Sequence, residues 1–389
     1  MSAPRLETDL DAVESNTRTL VGLLGPRGIR VTGVTKAALG SPGVAAAMLR
    51  GGAHGLGDSR VENLGRLAAA GLDAPRTLIR SPMLSQVEAV VGCATTSLNS
   101  ERVVLEALSA AASRRGLPHS VVLMVELGDL REGVLAADLV ALARVAATLP
   151  CLVLAGIGAN LACQSGVVPD QANMDELSRL VAEVESATDA TLPMVSGGNS
   201  ASLGWALRTD DVGRVDDLRL GESILLGLDP LTRQPIAGLR TDAVSLVAEL
   251  IEVQAKPAVP WGLRAQSAFG TPRGRPGTGV VRQGILAVGH HDVDAAGLRA
   301  PPGVSMLGMS SDHLVVDLGD HGAVVGDELA FGLGYAGLLR AVTSPFVAVV
   351  ENARTPGGSS RPVTRGRRPS PASDLGASYA GGDSNREPR

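Results

Sequence analysis

Lys36 is the first residue whose position suggests chemistry. It directly follows the segment 29–35, IRVTGVT, whose apolar and β-branched residues are typical of a buried strand. A lysine amine held in a closed site forms covalent links with carbonyl compounds. A single lysine at a strand end is more often a solvated surface charge, so its meaning depends on the residues that the fold brings near it.

Two turns rich in glycine and serine have the composition of a phosphate-binding site. One runs from 196 to 200 and opens a helix, and the other, 220–223, follows the next apolar segment. Glycine lets the backbone approach an anion closely, and a helix N-terminus offers free N–H groups. The candidate cofactor-binding residues in these turns are Ser196, Gly197, Asn199, Ser200, Gly221 and Glu222. A lysine facing a phosphate site is the combination that pyridoxal phosphate needs.

The elements that must position these residues alternate between apolar segments and helical patterns. Eight segments are predicted as strands: 30–35, 53–57, 77–80, 95–98, 121–127, 152–160, 193–196 and 218–221. The alternation predicts a parallel sheet, and eight strands fit a closed (β/α)₈ barrel, with an open doubly wound sheet as the alternative. In a barrel, Lys36 and both turns lie at the C-terminal mouth, where active sites of this fold gather.

Composition and hydrophobic patterning divide the chain into three parts. Residues 1–235 are predicted as the barrel. Residues 236–350 are predicted as a C-terminal β domain, with strand-rich segments at 243–255, 279–289, 314–318, 326–332 and 345–350. Residues 351–389 are rich in Pro, Gly, Ser and Arg and are predicted to be a disordered tail, because they carry too few large apolar side chains to form a core.

Composition excludes several classes of function. The net charge is −5 over 389 residues, which disfavours a general nucleic-acid-binding protein. No long apolar run or signal-like segment is present in the sequence, so no membrane partner is expected. The three cysteines, Cys93, Cys151 and Cys163, are widely spaced. They predict a reducing, cytoplasmic setting without a disulfide framework or a metal site.

Several short motifs together resemble the alanine racemase family of pyridoxal-phosphate enzymes. Residues 6–12, LETDLDA, are similar to the opening of that family, and 34–36, VTK, to its cofactor-lysine strand. Residues 57–63, GDSRVEN, 128–133, GDLREG, and 311–314, SDHL, resemble the ornithine-racemase-like branch. The resemblance extends over roughly residues 4 to 350 and depends on the order and spacing of the motifs.

The resemblance implies a barrel, a C-terminal β domain and a head-to-tail homodimer whose sites draw on both subunits. It implies that Lys36 carries pyridoxal 5'-phosphate as a Schiff base and that Arg219 faces the pyridine nitrogen. It also implies that Arg131 pairs with the substrate carboxylate and that Ser311 lies at the substrate end of the site. Tyr335 is a candidate phosphate contact, although a half-buried core tyrosine is the alternative.

The chain departs from the family at the second base. Alanine racemases carry a tyrosine in a Gly-Tyr-Ala-Asp turn, and His290 stands there in the sequence 289–292, GHHD. Histidine can perform acid–base work near neutral pH, so His290 is the first candidate for the second base. Asp312 and His291 are the reserve candidates.

Two other features of the site stay open. Asn160 stands near the position of a ring-stacking histidine in the family and cannot stack as well. A polar cluster, namely Asp58, Arg60, Glu62 and Asn63, either supports the lysine loop or caps a helix.

The leading hypothesis is a racemase that interconverts the L and D forms of a free amino acid by a two-base mechanism. Ornithine or another amino acid with a basic side chain is favoured, and alanine is retained. One alternative is another enzyme of the same fold, either a decarboxylase or a D-amino-acid lyase. The other is a non-catalytic cofactor carrier, which the C-terminal β domain disfavours because carriers lack one.

Overall fold

Two sheets organise the chain in this computed structural model, which describes residues 2–266, 279–353 and 361–364. The elements up to residue 226 are β1 (Arg5–Asp9), α1 (Leu10–Leu24), β2 (Arg30–Val34), α2 (Pro42–Arg50), β3 (Gly55–Asp58), α3 (Val61–Ala69), β4 (Arg76–Leu78), α4 (Val87–Cys93), β5 (Thr96–Asn99), α5 (Arg102–Arg115), β6 (His119–Met124), α6 (Ala136–Thr148), β7 (Leu152–Gly158), α7 (Gln171–Thr188), β8 (Met194–Asn199), α8 (Leu203–Arg208), β9 (Asp217–Leu220) and α9 (Glu222–Leu226). Those that follow are β10 (Val244–Pro257), β11 (Val280–Leu286), β12 (Leu298–Arg299), β13 (Ser305–Met309), β14 (Leu314–Asp317), β15 (Glu328–Leu333), α10 (Tyr335–Thr343), β16 (Ala348–Ala353) and β17 (Arg361–Thr364).

Strands β2 to β9 form a closed barrel in chain order. Every neighbouring pair is parallel, and β2 closes the ring against β9 with Gly33 opposite Leu220. The predicted (β/α)₈ barrel is therefore confirmed, and the open sheet is wrong. Closure leaves no free strand edge, and helices cover the outer face, which explains why the barrel strands are mostly apolar.

The second sheet has nine strands and is mainly antiparallel. Its central strand β10 pairs with β1, β11 and β15. The N-terminal strand β1 therefore belongs to this sheet, although residues 1–235 were predicted as one barrel domain. It also runs parallel to β16, with Leu6 opposite Val349. The partners of β1 lie far away in sequence, so local periodicity did not reveal that this strand belongs to the second sheet.

Helix α10 is a second difference, because only strands were predicted after residue 235. The predicted tail also differs at its start. Residues 351–353 complete β16, and the backbone of 361–364 forms β17 against it. The rest of that tail, 354–360 and 365–389, lies outside the described residues.

The barrel and the second sheet share one hydrophobic core, which includes Leu225 from the barrel and Val244 and Leu338 from the second sheet and its helix. A buried polar contact adds to this junction, since the Ser41 hydroxyl donates to the Glu351 carboxylate. Ser41 is also the N-cap of α2, accepting from the Val44 N–H at 3.3 Å. The second sheet is thereby fixed beside the loop that carries Lys36. Within the described residues, no helix is both long and apolar enough to cross a bilayer.

Candidate active site

Lys36 lies at the C-terminal mouth of the barrel. It begins a short 3₁₀ turn immediately after β2. The preceding Thr35 is fully buried, and its N–H donates to the Gly57 carbonyl at 2.9 Å while its hydroxyl donates to Asp58 at 2.7 Å. The lysine therefore starts from a rigid position between the ends of β2 and β3.

Asp58 is the centre of the support for this lysine loop. Besides Thr35 it accepts from the Arg60 N–H at 2.9 Å and from Asn63 Nδ2 at 3.0 Å. Burial raises the pKa of the Asp58 carboxyl, and these hydrogen bonds oppose the rise. Glu62 instead accepts from Gln86 at 2.8 Å. Of the four residues of the predicted polar cluster, Asp58 thus holds the lysine loop directly, and Asn63 and the Arg60 backbone hold Asp58.

Two polar side chains adjoin the Lys36 amine. Its Nζ lies 5.6 Å from the centre of the Tyr335 ring. Burial raises the pKa of that phenol, and the lysine charge opposes the rise. The Glu222 carboxyl also feels the Lys36 charge, although its direct partner is Arg233 at 2.6 Å. Tyr335, predicted as a phosphate contact, is therefore placed by α10 beside the lysine itself.

A cluster of hydrogen-bond donors occupies the turns after β8 and β9. The Ser200 hydroxyl accepts from the N–H groups of Gly221 and Ser223 at 3.3 Å each and lies 3.1 Å from the Ser223 hydroxyl. A Cβ on Gly221 would lie 3.1 Å from Val34, so this turn packs directly against the end of β2. The predicted phosphate turns therefore meet each other and the lysine strand. The cluster of Ser200, Gly221 and Ser223 is called the Ser200 cluster below.

The first predicted turn is split by the structure. Ser196 and Gly197 belong to β8, and a Cβ on Gly197 would lie 2.6 Å from the Val215 side chain, so this glycine permits packing. Asn199 caps the turn that follows by accepting from the Ala201 N–H at 2.8 Å. Its Nδ2 donates to Asn160 Oδ1 and to the Leu161 carbonyl, both at 2.9 Å. Asn199 thus joins the turns after β7 and β8.

Arg219 is a buried cation in the same mouth, with 5% of its surface exposed. Its guanidinium donates to the Ser196 hydroxyl, to the Ala159 carbonyl at 2.9 Å and to Asn160 Oδ1 at 3.3 Å. Burial lowers the pKa of Arg219, and the nearby Asp217 carboxylate opposes this. The guanidinium therefore has neutral direct acceptors and an acidic residue close by.

The loop that carries Arg131 borders this mouth. Asp129 is fully buried and accepts from four backbone N–H groups of the loop after β7, at 2.8–3.4 Å. Burial tends to raise the pKa of Asp129, but the four hydrogen bonds outweigh it and the pKa is lowered. Arg131 pairs with Glu132, and both charges act on Arg219. The predicted substrate arginine is therefore near the site, with its charge engaged by a neighbouring acid.

The second-base candidates lie on a pair of turns in the second sheet. The backbone N–H groups of His290 and His291 donate to the carbonyls of Ser310 and Ser311 at 2.9 and 3.0 Å. Asp312 accepts from Ser311 at 2.7 Å and pairs with His291 Nδ1 at 3.2 Å. The side chains of His291 and Asp312 are 64% and 62% exposed, whereas Lys36 contacts Tyr335 and the Arg219 network is buried. Within one chain, His291 and Asp312 are thus exposed to solvent, whereas His290 is half-buried.

Three site residues were missed by sequence reasoning. Thr32 and Asp217 complete the Arg219 network, and Cys163 accepts from Asn160 Nδ2 at 3.1 Å. The spacing of Asp217 and Arg219 was an available signal, because residues two apart on a strand point to the same side. Cys163 had no such signal, since its loop has no periodicity. Within the described ranges, no three His, Cys, Asp or Glu side chains come together as metal ligands.

The fold, a closed parallel barrel joined to a mainly antiparallel sheet, defines a structural class that solved structures share. An alanine racemase of Streptomyces lavendulae superposes with a TM-score of 0.71 at 21% identity, covering 90% of this chain and 97% of that one. A D-threonine aldolase of Filomicrobium marinum also gives 0.71, at 18% identity, covering 90% and 92%. These likenesses establish the fold.

Sequence comparison identifies the family. The profile described as alanine racemase, N-terminal domain, matches residues 8–230. A lysine racemase of Thermotoga maritima is 35% identical over 356 residues, covering 90% of this chain and 99% of that protein. An ornithine racemase of Acetoanaerobium sticklandii is 34% identical, covering 88% and 98%. The chain therefore belongs to the alanine racemase N-terminal domain family, as its motifs predicted.

Proposed function

We propose that this chain is a pyridoxal-phosphate-dependent racemase of a basic amino acid, with the cofactor carried by Lys36. The observation that carries the proposal is the meeting of Lys36, the Ser200 cluster and the buried Arg219 at one barrel mouth. The reaction class has independent support. Relatives that align over nearly their whole length are racemases, so the chain is an amino-acid racemase and hence an isomerase.

The residues present fit the cofactor. The Ser200 cluster consists of hydroxyl and backbone N–H groups, the donors that a phosphate requires, and its internal hydrogen bonds are long at 3.1–3.3 Å. These groups can give up their hydrogen bonds to one another and bind phosphate oxygens instead, at a small cost in free energy. Arg219 supplies a donor for the ring nitrogen, and Lys36 supplies the covalent attachment. When bound, pyridoxal phosphate would stabilise the charge left at the substrate α-carbon after its proton is removed.

Lys36 is proposed to move the proton on one face of the substrate. With the cofactor and substrate bound, the Lys36 Nζ would be placed to take or return the α-proton. The Tyr335 ring lies 5.6 Å from this amine and would help to hold it in place. The Glu222 carboxyl adds an acidic group near this amine.

Arg219 is proposed to keep the cofactor ring nitrogen unprotonated. A guanidinium donates hydrogen bonds but does not release a proton at neutral pH. A ring nitrogen left unprotonated would make the bound cofactor a weaker electron acceptor than a protonated pyridine. Arg219 would thereby favour return of the α-proton by a base of the enzyme over side reactions.

The opposite face needs a second group, for which we propose His290 of the partner subunit. Within one chain, the turn that carries it pairs with the exposed Asp312 turn and lies on the second sheet. A homodimer that places this turn over the partner's barrel mouth would complete each site.

The three free cysteines, Cys93, Cys151 and Cys163, suit a cytoplasmic enzyme.

The proposed substrate has a basic side chain because the lysine and ornithine racemases match this chain at 35% and 34% identity over most of its length. Two acids near the mouth, Glu132 and Glu222, would pair with a distal ammonium group in exchange for their present partners, Arg131 and Arg233. A small substrate such as alanine is the alternative, because an alanine racemase of Thermobifida fusca is 31% identical to this chain. A panel of D and L amino acids separates these: ornithine and lysine should be racemised faster than alanine.

Reductive labelling tests the cofactor site with unusual clarity, because the sequence contains only two lysines, Lys36 and Lys256. Borohydride treatment of protein loaded with pyridoxal phosphate, followed by peptide mapping, should label Lys36. Lys256, which pairs with Glu252, provides the matched control. Lys36→Ala should abolish the label, and Lys256→Ala should retain it. Labelling at Lys256 alone would refute the assignment.

A further inference from the structure

A buried acid lies one layer below Arg219 inside the barrel. Asp217 has 3% of its surface exposed and precedes Arg219 by two residues on β9, so both side chains point to the barrel interior. Its two carboxylate oxygens accept from different strands. The Thr32 hydroxyl donates to Oδ1 and the Ser196 hydroxyl to Oδ2, each at 2.6 Å.

The direction of these hydrogen bonds is fixed by chemistry. An ionised carboxylate accepts and cannot donate, so the single proton of the Ser196 hydroxyl lies toward Asp217. The lone pairs of that oxygen then face the Arg219 guanidinium, which donates to it. Asp217 thereby makes Ser196 an acceptor at the place where Arg219 needs one.

We infer that Asp217 is a positioning residue, which holds Arg219 against the cofactor ring through Ser196 and balances its buried charge. This inference rests on the proposed function, because it requires Arg219 to face the cofactor. Among the described residues, the direct acceptors of Arg219 are all neutral, namely Ser196, the Ala159 carbonyl and Asn160. Asp217 is thus the counter-charge of the guanidinium, and the Ser196 hydroxyl links the two.

Asp217→Asn should disrupt this arrangement while it preserves shape. An amide offers one acceptor and one donor group where the carboxylate offers two acceptors. Whichever way the amide turns, it faces one hydroxyl with N–H groups. If the N–H groups face Ser196, its hydroxyl must reverse and point its proton at the guanidinium, and Arg219 loses that partner. If they face Thr32, Ser196 keeps its direction. Arg219 loses the counter-charge in both cases.

The neighbouring Asp216 provides a matched control. It accepts from Arg30 at 2.6 Å and from the Val195 N–H at 2.7 Å at the start of β9. Its side chain is 32% exposed. It is not one of the hydrogen-bond acceptors of the Arg219 guanidinium described above. Asp216→Asn therefore makes the same chemical change one residue away.

The experiment titrates cofactor-free wild type, Asp217→Asn and Asp216→Asn with pyridoxal phosphate. The readouts are the dissociation constant and the absorption spectrum of the bound cofactor, followed by kcat and KM. Asp217→Asn should bind the cofactor about 10- to 100-fold more weakly, the range for losing a hydrogen bond to a charged group, and should shift its absorption maximum. Asp216→Asn should match the wild type.

A wild-type spectrum and dissociation constant in Asp217→Asn would overturn the inference. If that variant fails to fold, Ser196→Ala takes its place, since it cuts the link but keeps both charges. Ser196→Ala should reproduce the spectral shift, and an unchanged spectrum would again overturn the inference. Failure of the wild type to take up the cofactor would overturn the proposed function and this inference with it.

Discussion

Acid should destabilise this protein through one buried histidine, His119. It begins β6, has 1% of its surface exposed, and places Nε2 2.8 Å from the Ser97 hydroxyl. Asn99 donates to that same hydroxyl at 3.0 Å. The surroundings thus suit a neutral imidazole, and burial lowers the pKa of His119 from 6.5 to about 4.

The size and sign of the effect follow from this pKa. The unfolded chain takes up the proton first, because its histidine pKa is the higher one. The stabilising contribution of the neutral His119 is therefore complete above pH 6.5 and is lost as the pH falls toward 4. At about 1.4 kcal/mol for each tenfold change in proton affinity, the full loss is roughly 3 kcal/mol.

His119→Gln isolates this effect, because glutamine can still reach Ser97 but cannot become charged. The measurement is urea unfolding of both proteins at about pH 8 and about pH 4.5, where other groups titrate equally in the two. The variant should be the less stable protein at high pH, and the difference in unfolding free energy should shrink or reverse in acid. His54→Gln, at an exposed position, controls for removing a histidine. A difference that stays constant between the two pH values would refute the reasoning.

Substitutions at the active site should separate its parts. Mixing inactive Lys36→Ala with inactive His290→Ala subunits should restore part of the racemase activity, because hybrid dimers hold one intact site; no recovery despite subunit exchange would contradict shared sites. His290→Ala should slow racemisation roughly 10²–10⁴-fold and remove one limb of a bell-shaped pH profile, while solvent deuterium still enters on the face that Lys36 serves. Normal turnover in that variant would move the role to Asp312, with Asp312→Asn as the deciding measurement. Asp58→Ala should lower the melting temperature, because it leaves buried donors unpaired at about 1–3 kcal/mol each. It should also lower kcat, since Thr35 would no longer fix the lysine; an unchanged kcat would show that the loop holds without it.

Local sequence was sufficient for the features that depend on periodicity and on turn composition. The eight strands of the barrel were predicted because each buried apolar segment is separated from the next by a helical pattern. The C-terminal position of Lys36 on its strand placed it at the mouth. The small residues at 196–200 and 220–223 marked the turns that meet there.

Tertiary structure decided which of these residues act together. Ser196 was assigned to the phosphate turn from its neighbours in sequence, yet its hydroxyl lies between Asp217 and Arg219. Tyr335 was predicted as a phosphate contact or a core tyrosine, and the structure places its ring 5.6 Å from the Lys36 Nζ. Local sequence could not reveal these neighbours, because a side chain's partners come from other strands and helices, whose register no local pattern encodes.

The same reason explains the limits at the level of the fold. Residues 5–9 were placed in the barrel domain with the rest of residues 1–235, but as β1 they pair with β10 and β16, more than 200 residues away. Periodicity reports which face of a segment is buried, and this the sequence determined by itself. Which surface covers that face depends on the apolar contacts and hydrogen-bond partners that all other segments offer. That is determined only in the folded chain.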